Sequence, residues 1–202
     1  MKYFSLKMPA PAVRFVLLSA ALILGITVSA QTKQQSSGSV KITIEGTSNI
    51  HDWDIKSDKG LCNSSLDINK LGSLNSISTL NFSVPAESLK SDHSGMDKNT
   101  YKALKTSKYS SINFVAASVD VKSTGSSASS LTSKGKLTIA GVSKDVTLTA
   151  NGVVNADKSI TYSGSYQLLM TDFKIDPPTA LLGTIRTGDK VVVKFTLVLK
   201  TI

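Results

Sequence analysis

The 202-residue sequence predicts an all-β fold, an antiparallel barrel or sandwich of about eight strands with one short helix. The clearest observation lies near the C-terminus, where Val191, Val193, Phe195, Leu197 and Leu199 occupy alternate positions. Alternation with a period of two is typical of a strand with one apolar face. The pattern recurs along the chain, and no shift in composition marks a second domain.

The first 30 residues are expected to form a signal peptide. Lys2, Lys7 and Arg14 precede an apolar run of 14 residues, and small residues lead to a cleavage position after Ala30. The run is shorter than the ~20 residues that cross a bilayer as a helix. We therefore expect a periplasmic or secreted protein of residues 31–202, with 20 basic and 14 acidic residues and a net charge of +6.

The elements of the remaining chain follow in order. Residues 31–39 are small and polar, and they predict a flexible leader in front of a barrel domain at 40–202. Within that domain, short stretches of alternating apolar residues predict strands. Before the C-terminal strand they lie at residues 40–44, 80–84, 112–114, 119–121, 137–139, 146–148 and 166–170.

The connections between these strands have their own signals. The alternation slips between Phe114 and Val119, which predicts a bulge near residues 116–117. Residues 122–133 are rich in serine and predict a long hairpin loop. Two prolines at 177–178 cannot donate to a central ladder, so the chain is expected to leave the sheet there.

One short helix is predicted between residues 85 and 109, where the period changes. Asp97 can cap this helix, and Tyr101 and Leu104 then share a face. Four lysines follow each other along it at spacings of three and four. These lysines are Lys98, Lys102, Lys105 and Lys108. They either attract anionic lipid head groups in a transient contact with a membrane surface or form an ordinary solvated face.

The sequence contains no recognisable catalytic or metal-binding motif. His51 and His93 lie 42 residues apart, which matches no compact set of metal ligands. Neither a Gly-x-Ser-x-Gly elbow nor a phosphate-binding glycine loop occurs. The lysines are not interleaved with aromatic residues, so no nucleic-acid partner is expected. We therefore expect no enzyme activity, catalytic residue, metal or cofactor, and a lone Cys62 that is buried in or beside a strand.

Four separated motifs resemble the YceI-like family of exported lipid-binding proteins. They occur in the family's order and cover most of the chain after residue 45: GTSNIHDW at 46–53, MDKNTYKALKTSKYSSINF at 96–114, GKLTIAGVSKDVTL at 135–148 and MTDFKI at 170–175. The resemblance implies a single lipocalin-like antiparallel barrel. It also implies an apolar interior that holds a long isoprenoid or a similar hydrophobic chain, without catalysis, as a carrier or store.

The alternation of each strand supplies the candidates for the wall of this interior. A barrel of about eight strands is either filled by its own side chains or holds one slender ligand, so a structural or adhesive module with a packed interior remains an alternative. An exported hydrolase is a further alternative, and the oligomeric state is open, a homodimer included. The predicted wall consists of Ile42, Ile44, Phe82, Ile139, Leu148, Leu168, Val193 and Phe195, with Tyr101 and Leu104 closing it from the helix.

Overall fold

The described residues form a β-barrel with one α-helix, as a computed structural model of the chain shows. The structure describes residue 1 and residues 32–68 and 74–200, and the predicted signal peptide lies outside them apart from Met1. The helix is α1 (Ser94–Leu104). The strands are β1 (Thr32–Ser48), β2 (Asp52–Ile68), β3 (Leu74–Pro85), β4 (Ser111–Ser123), β5 (Ala128–Ile139), β6 (Val142–Val154), β7 (Ile160–Leu169), β8 (Thr179–Ala180) and β9 (Ile185–Leu199).

Eight of these strands form a closed antiparallel ring. Each strand from β1 to β7 pairs with the next, β7 pairs with β9, and β9 pairs with β1 from Gly38–Leu199 to Ser48–Thr187. The short β8 only extends the edge of β9 near Ile185. Closure removes the sheet edges that would otherwise be open to pairing with another chain. The predicted antiparallel barrel with one short helix is confirmed.

The two ends of the barrel carry different connections. One end, which we call the connector end, holds the segments 49–51, 86–110, 140–141 and 170–184. The other end, the hairpin end, holds the short turns between β4 and β5 and between β6 and β7. The longer insertions, including α1, therefore collect at the connector end.

The predicted flexible leader at 31–39 is wrong for the residues that the structure describes. Residues 32–39 form the first half of β1 and pair with β2, for example Ser36 with Ser64. Ser36 is buried, and its hydroxyl donates to the carbonyl of Lys200 at 2.5 Å. A polar segment can pair as a strand because the ladder uses backbone groups, and buried hydroxyls find backbone acceptors. Polarity alone therefore did not identify a flexible segment.

The serine-rich stretch shows the same effect. Instead of a long loop over 122–133, only residues 124–127 connect β4 to β5. Ser133 is buried within β5 and donates to the carbonyl of Ser118 at 3.2 Å. The predicted bulge is confirmed, because the register between these two strands shifts between Ala116 and Ser118.

The helix begins earlier than the sequence predicted. Its N-cap is His93 and its first residue is Ser94, so Asp97 lies inside the first turn. The Asp97 carboxylate accepts hydrogen bonds from the backbone N–H and the hydroxyl of Ser91, both at 2.8 Å. Burial opposes ionisation of Asp97, but these bonds outweigh it and lower the pKa of the carboxyl group. Asp97 thus ties the helix to the chain before it.

Inward-facing glycines lie opposite large aromatic side chains on neighbouring strands. At each of these positions a Cβ atom would overlap the ring that lies across the glycine. The rings therefore lie flat against the barrel wall, as in cross-strand packing of aromatic residues over glycine. The directly paired residues are Gly46 with Trp53, Gly152 with Tyr162, and Gly164 with Phe195.

We expect Gly152→Ala to lower the melting temperature by several degrees. The new methyl group would overlap the buried ring of Tyr162 and approach the Ser129 hydroxyl oxygen to 2.6 Å, and such overpacking costs roughly 1–3 kcal/mol. Gly95→Ala is the matched control, because no atom lies within 4 Å of a Cβ atom at that position in α1. Thermal unfolding followed by circular dichroism measures both. Equal melting temperatures for the two variants would contradict the close packing of glycine and ring.

Candidate functional site

The candidate site is the apolar interior of the barrel. The side chains of Phe82, Phe114, Tyr162 and Phe195 surround a central cavity of about 20 Å³ together with aliphatic neighbours. The Phe82 and Phe114 rings stack with their centroids 5.1 Å apart. A cavity of this size has room for about one water molecule. In the structure as it stands, side chains fill the centre of the barrel.

Most predicted wall residues meet inside the barrel, in two groups. Phe82, Leu148 and Phe195 line the central cavity. The buried residues Ile42, Ile139 and Leu168 belong to the surrounding core cluster. The remaining two, Ile44 and Val193, are directly paired across β1 and β9 and are only partly buried.

Part of the interior remains in contact with solvent. Ile44, Tyr166, Val193 and Phe195 have the inward parity of their strands, yet each is only partly buried. An inward-facing side chain of a closed barrel stays exposed where solvent reaches the space inside. We call these four residues the open patch; they are neighbours on β7, β9 and β1. Across the barrel, the inward residues of β5 from Leu131 to Ile139 are all buried.

The barrel wall is incomplete beside the open patch. The ladder between β6 and β7 runs only from Ala150–Gly164 to Val154–Ile160. Within the described residues, 142–149 of β6 and 165–169 of β7 have no ladder pairs with each other. This unpaired stretch, which we call the seam, runs towards the connector end. Space between the two strands can therefore change without breaking a ladder.

A short segment, which we call the plug, contacts β6 and β7 beside the seam. It comprises residues 170–175, and its apolar side chains Met170, Phe173 and Ile175 are buried. The segment is bound to β9, since the backbone N–H and the hydroxyl of Thr171 donate to the Asp189 carboxylate at 2.9 and 2.6 Å. These hydrogen bonds lower the pKa of Asp189. The plug is thus held by polar bonds on the β9 side.

The two predicted helix residues lie in different surroundings. Leu104 is partly buried and packs against the core cluster. The Tyr101 hydroxyl instead lies 2.9 Å from the carbonyl oxygens of Glu87 and Leu89, and Lys90 Nζ lies 4.9 Å from the centre of its ring. Tyr101 therefore fixes α1 to the segment before it. A direct ligand contact by either residue stays a prediction.

Several cavity residues were not among the predicted set. Phe114 and Tyr162 complete the aromatic ring around the cavity, and both are fully buried. Burial raises the pKa of Tyr162, whose hydroxyl accepts a long hydrogen bond from Ser129 at 3.4 Å. Tyr162 shares the inward parity of the predicted wall residue Leu168 on β7, and Phe114 pairs with the predicted wall residue Phe82 across β3 and β4. The glycine opposite Tyr162 is the sequence signal that could have identified it.

Polar groups with catalytic or metal-binding potential do not converge in the described part of the chain. His51 and His93 are both exposed, and His51 Nδ1 lies 2.8 Å from the carbonyl oxygen of Asp52. Among the described residues, no group of three or more histidine, cysteine, aspartate or glutamate side chains is placed to hold a metal ion. The expected absence of a metal and of catalysis stays a prediction.

The lone cysteine faces inward in β2, as expected from the sequence. Cys62 is buried as a free thiol and is paired with Gly38 and Phe82 on the neighbouring strands. Burial raises its pKa to about 12. The thiol therefore behaves as a small apolar core group.

The arrangement has the chemistry of a site for an apolar molecule. Its lining is aromatic and aliphatic apart from Ser133, whose hydroxyl already donates to a backbone carbonyl. A ligand there would be held by burial of apolar surface rather than by directed polar bonds.

No helix of the described residues is long and apolar enough to span a bilayer.

A family model and solved structures match the chain. The model described as YceI-like domain matches residues 27–199. The chain is also similar in structure to BcnA of Burkholderia cenocepacia, with a TM-score of 0.61, 16% identity, and coverage of 79% of this chain and 95% of that chain. A second structure is described as a polyisoprenoid binding domain from Saccharophagus degradans implicated in plant cell wall breakdown. It has a TM-score of 0.59 and 11% identity, and covers 85% of this chain and 100% of that chain. No curated protein matches the sequence.

We expect Cys62 to react with a thiol reagent far more slowly than an exposed cysteine. With a pKa of about 12, about one thiol in ten thousand is ionised at pH 8, and the thiolate is the reactive form. Its rate should still be rising between pH 8 and 10. The control is Ser126→Cys in a Cys62→Ser background, because residue 126 is exposed in the turn after β4.

The control thiol should approach its maximum rate above pH ~8.5. Absorbance after addition of an aromatic disulfide reagent measures both rates. Similar rates for the two proteins at pH 8 would contradict the burial of Cys62.

Proposed function

We propose that this protein, which belongs to the YceI-like domain family, is an exported carrier or store for a long hydrophobic molecule of the isoprenoid kind. The observation that carries the proposal is the open patch, where apolar side chains face the inside of the barrel and still contact solvent. A soluble protein that leaves such a surface accessible commonly uses it for an apolar ligand. Export, with cleavage near Ala30, and the absence of catalysis belong to the same proposal.

The proposed ligand enters at the open patch and continues towards the central cavity. The central cavity itself is too small for a hydrocarbon chain, so Phe82 or Phe195 must turn aside when the ligand is bound. The unpaired seam between β6 and β7 supplies the freedom for this change. A similar barrel in Saccharophagus degradans is described as a polyisoprenoid binding domain, which supports an isoprenoid as the ligand class.

Burial of the chain alone supplies enough energy for binding. At ~0.8 kcal/mol for each buried CH₂ group, even a few isoprene units offset the cost of ordering a flexible tail. The lining offers few polar groups to recognise a head group. The proposed carrier therefore selects for length and slimness more than for the head group.

A structural or adhesive module with a packed interior is the second candidate. The small central cavity favours it, since an interior already filled by its own side chains needs no ligand. The two candidates differ in what the open patch does: a carrier fills it with ligand, and a module leaves it as an irregular edge of the core. No observation favours the exported hydrolase.

Native mass spectrometry of protein recovered from its own host tests the carrier. We expect a stoichiometric lipid-sized mass that organic extraction removes, on a polypeptide that begins at Gln31. An empty protein under the same conditions, together with no uptake of a C40 polyprenol from detergent, would support the packed module. Retention of residues 1–30 on the recovered protein would contradict the export proposal.

Two substitutions on β9 separate an open interior from a packed one. Val193 belongs to the open patch, whereas Leu197 has the same parity and is buried. We expect Val193→Trp to keep the melting temperature near that of the parent and to lose most polyprenol capture, because the indole occupies the space of the tail. Leu197→Trp should lower the melting temperature, since overpacking costs roughly 1–3 kcal/mol.

Thermal unfolding and capture of a radiolabelled C40 polyprenol measure the two effects. A large loss of stability in both variants would favour the packed module. A Val193→Trp protein that is stable and captures polyprenol normally would contradict the proposed position of the ligand.

A further inference from the structure

The connector end carries an exposed apolar tip formed by Ile50, Leu181 and Leu182. Leu182 is 107% exposed relative to an extended reference chain, Leu181 is 73% exposed and Ile50 is 58% exposed. No atom lies within 4 Å of a Cβ atom built at the following residue, Gly183. The two leucines therefore project into solvent, and Ile50 is exposed in the β1–β2 turn beside them.

The fold holds this tip in place by polar bonds at its base. The Asn49 side chain donates to the carbonyl of Thr184 at 2.9 Å and accepts from the backbone N–H of Arg186 at 2.8 Å. Both leucines have left-handed backbone angles, φ 47° and 54°, which are unfavourable for residues other than glycine. The chain thus keeps two large apolar side chains outward in a costly conformation without any packing gain.

Basic side chains lie at the same end of the barrel. The four lysines of the 97–108 segment are all exposed, and they belong to the connector between β3 and β4. Arg186 lies at the base of the tip, with its Nε donating to the carbonyl of Gly183 at 3.2 Å. An apolar projection on an end that also carries cations matches the order of a bilayer, with acyl chains inside and anionic head groups at the surface.

We propose that the connector end docks on an anionic lipid bilayer, with Leu181 and Leu182 inserted among the acyl chains. A protein partner fits these observations less well, because a stable protein interface buries about 800 Å² on each side and needs a complementary surface. Three side chains on a convex tip offer much less than that. A fluid acyl layer accepts a convex apolar tip without a matching shape. The lysines then lie over the head groups.

This docking does not depend on a ligand in the barrel, so vesicles without isoprenoid test it. We use the full chain and vesicles of phosphatidylglycerol and phosphatidylcholine, with flotation to measure the bound fraction. Leu181→Ser/Leu182→Ser should lower the partition coefficient by about tenfold or more. The matched control, Leu61→Ser/Val115→Ser, removes two apolar side chains that are 67% and 55% exposed on the barrel wall and should stay within about twofold of the parent.

Insertion has its own readout, which the N-terminal apolar run cannot imitate. Trp53 is the only tryptophan, so Trp53→Phe gives a background in which Leu182→Trp is the sole indole. Lipids with brominated acyl chains should quench Leu182→Trp strongly and leave Leu61→Trp unchanged. Raising the salt concentration to about 0.5 M should weaken binding, because it screens the lysines and Arg186.

Two results would overturn the proposal. One is an unquenched Leu182→Trp in a protein that still floats with the vesicles, which would place the contact elsewhere on the chain. The other is equal flotation of the leucine double variant and the parent when both begin at Gln31, so that the N-terminal apolar run is absent. If the leucine variant changes only the mass seen in sedimentation, the tip serves contact between copies of the chain and the membrane proposal is wrong.

Discussion

Pairing between β1 and β9 closes the barrel, and this closure determines what the rest of the structure can do. Eight strands enclose a space only wide enough for their own side chains or for one slender ligand. Any ligand must therefore compete with residues such as Phe82 and Phe195 for the same volume. The balance between filling and opening is decided locally, by how each inward side chain lies on the wall.

Glycines opposite aromatic rings leave more free volume in the barrel interior. Where Gly164 faces Phe195 and Gly152 faces Tyr162, a ring can lie along the wall instead of projecting to the axis. The central cavity nevertheless stays small, and part of the interior is exposed to solvent at the open patch. The structure thus combines a filled centre with an accessible side. This combination suits a site that opens when a chain-like molecule arrives.

The connector end brings together the plug, the unpaired seam and the outward-facing leucines. The plug at 170–175 lies beside the seam and is tied to Asp189 on β9, and the same connector continues to the exposed leucines. If the tip docks on a bilayer as proposed, the plug and the seam lie close to the source of an apolar ligand. Lower pH would weaken the hydrogen bonds between Thr171 and the Asp189 carboxylate. The Asp189 pKa is depressed, so its stabilising bonds are present above the ordinary carboxyl pKa and are lost as pH falls through the lowered value.

The sequence by itself determined the fold class and the inward face of most strands. Alternation in stretches such as 191–199 depends only on neighbouring residues, and every predicted wall residue on a strand faces the interior. Apolar alternation did not identify the polar parts of strands, because Ser36 and Ser133 are buried through hydrogen bonds to distant carbonyl groups. The start of α1 was also misplaced, since Asp97 bonds back to Ser91 inside the first turn.

Only the tertiary structure decided how full the interior is and where solvent enters it. Val193 and Leu197 have the same residue class, strand and parity, yet Val193 belongs to the open patch and Leu197 is buried. The difference comes from what lies across the barrel and from the break in pairing between β6 and β7. Those are contacts between residues far apart in the chain, and a local pattern carries no information about them. The exposed leucine tip has the same origin. The sequence LLG does not indicate whether another segment covers these residues, and only the folded structure shows that they are exposed.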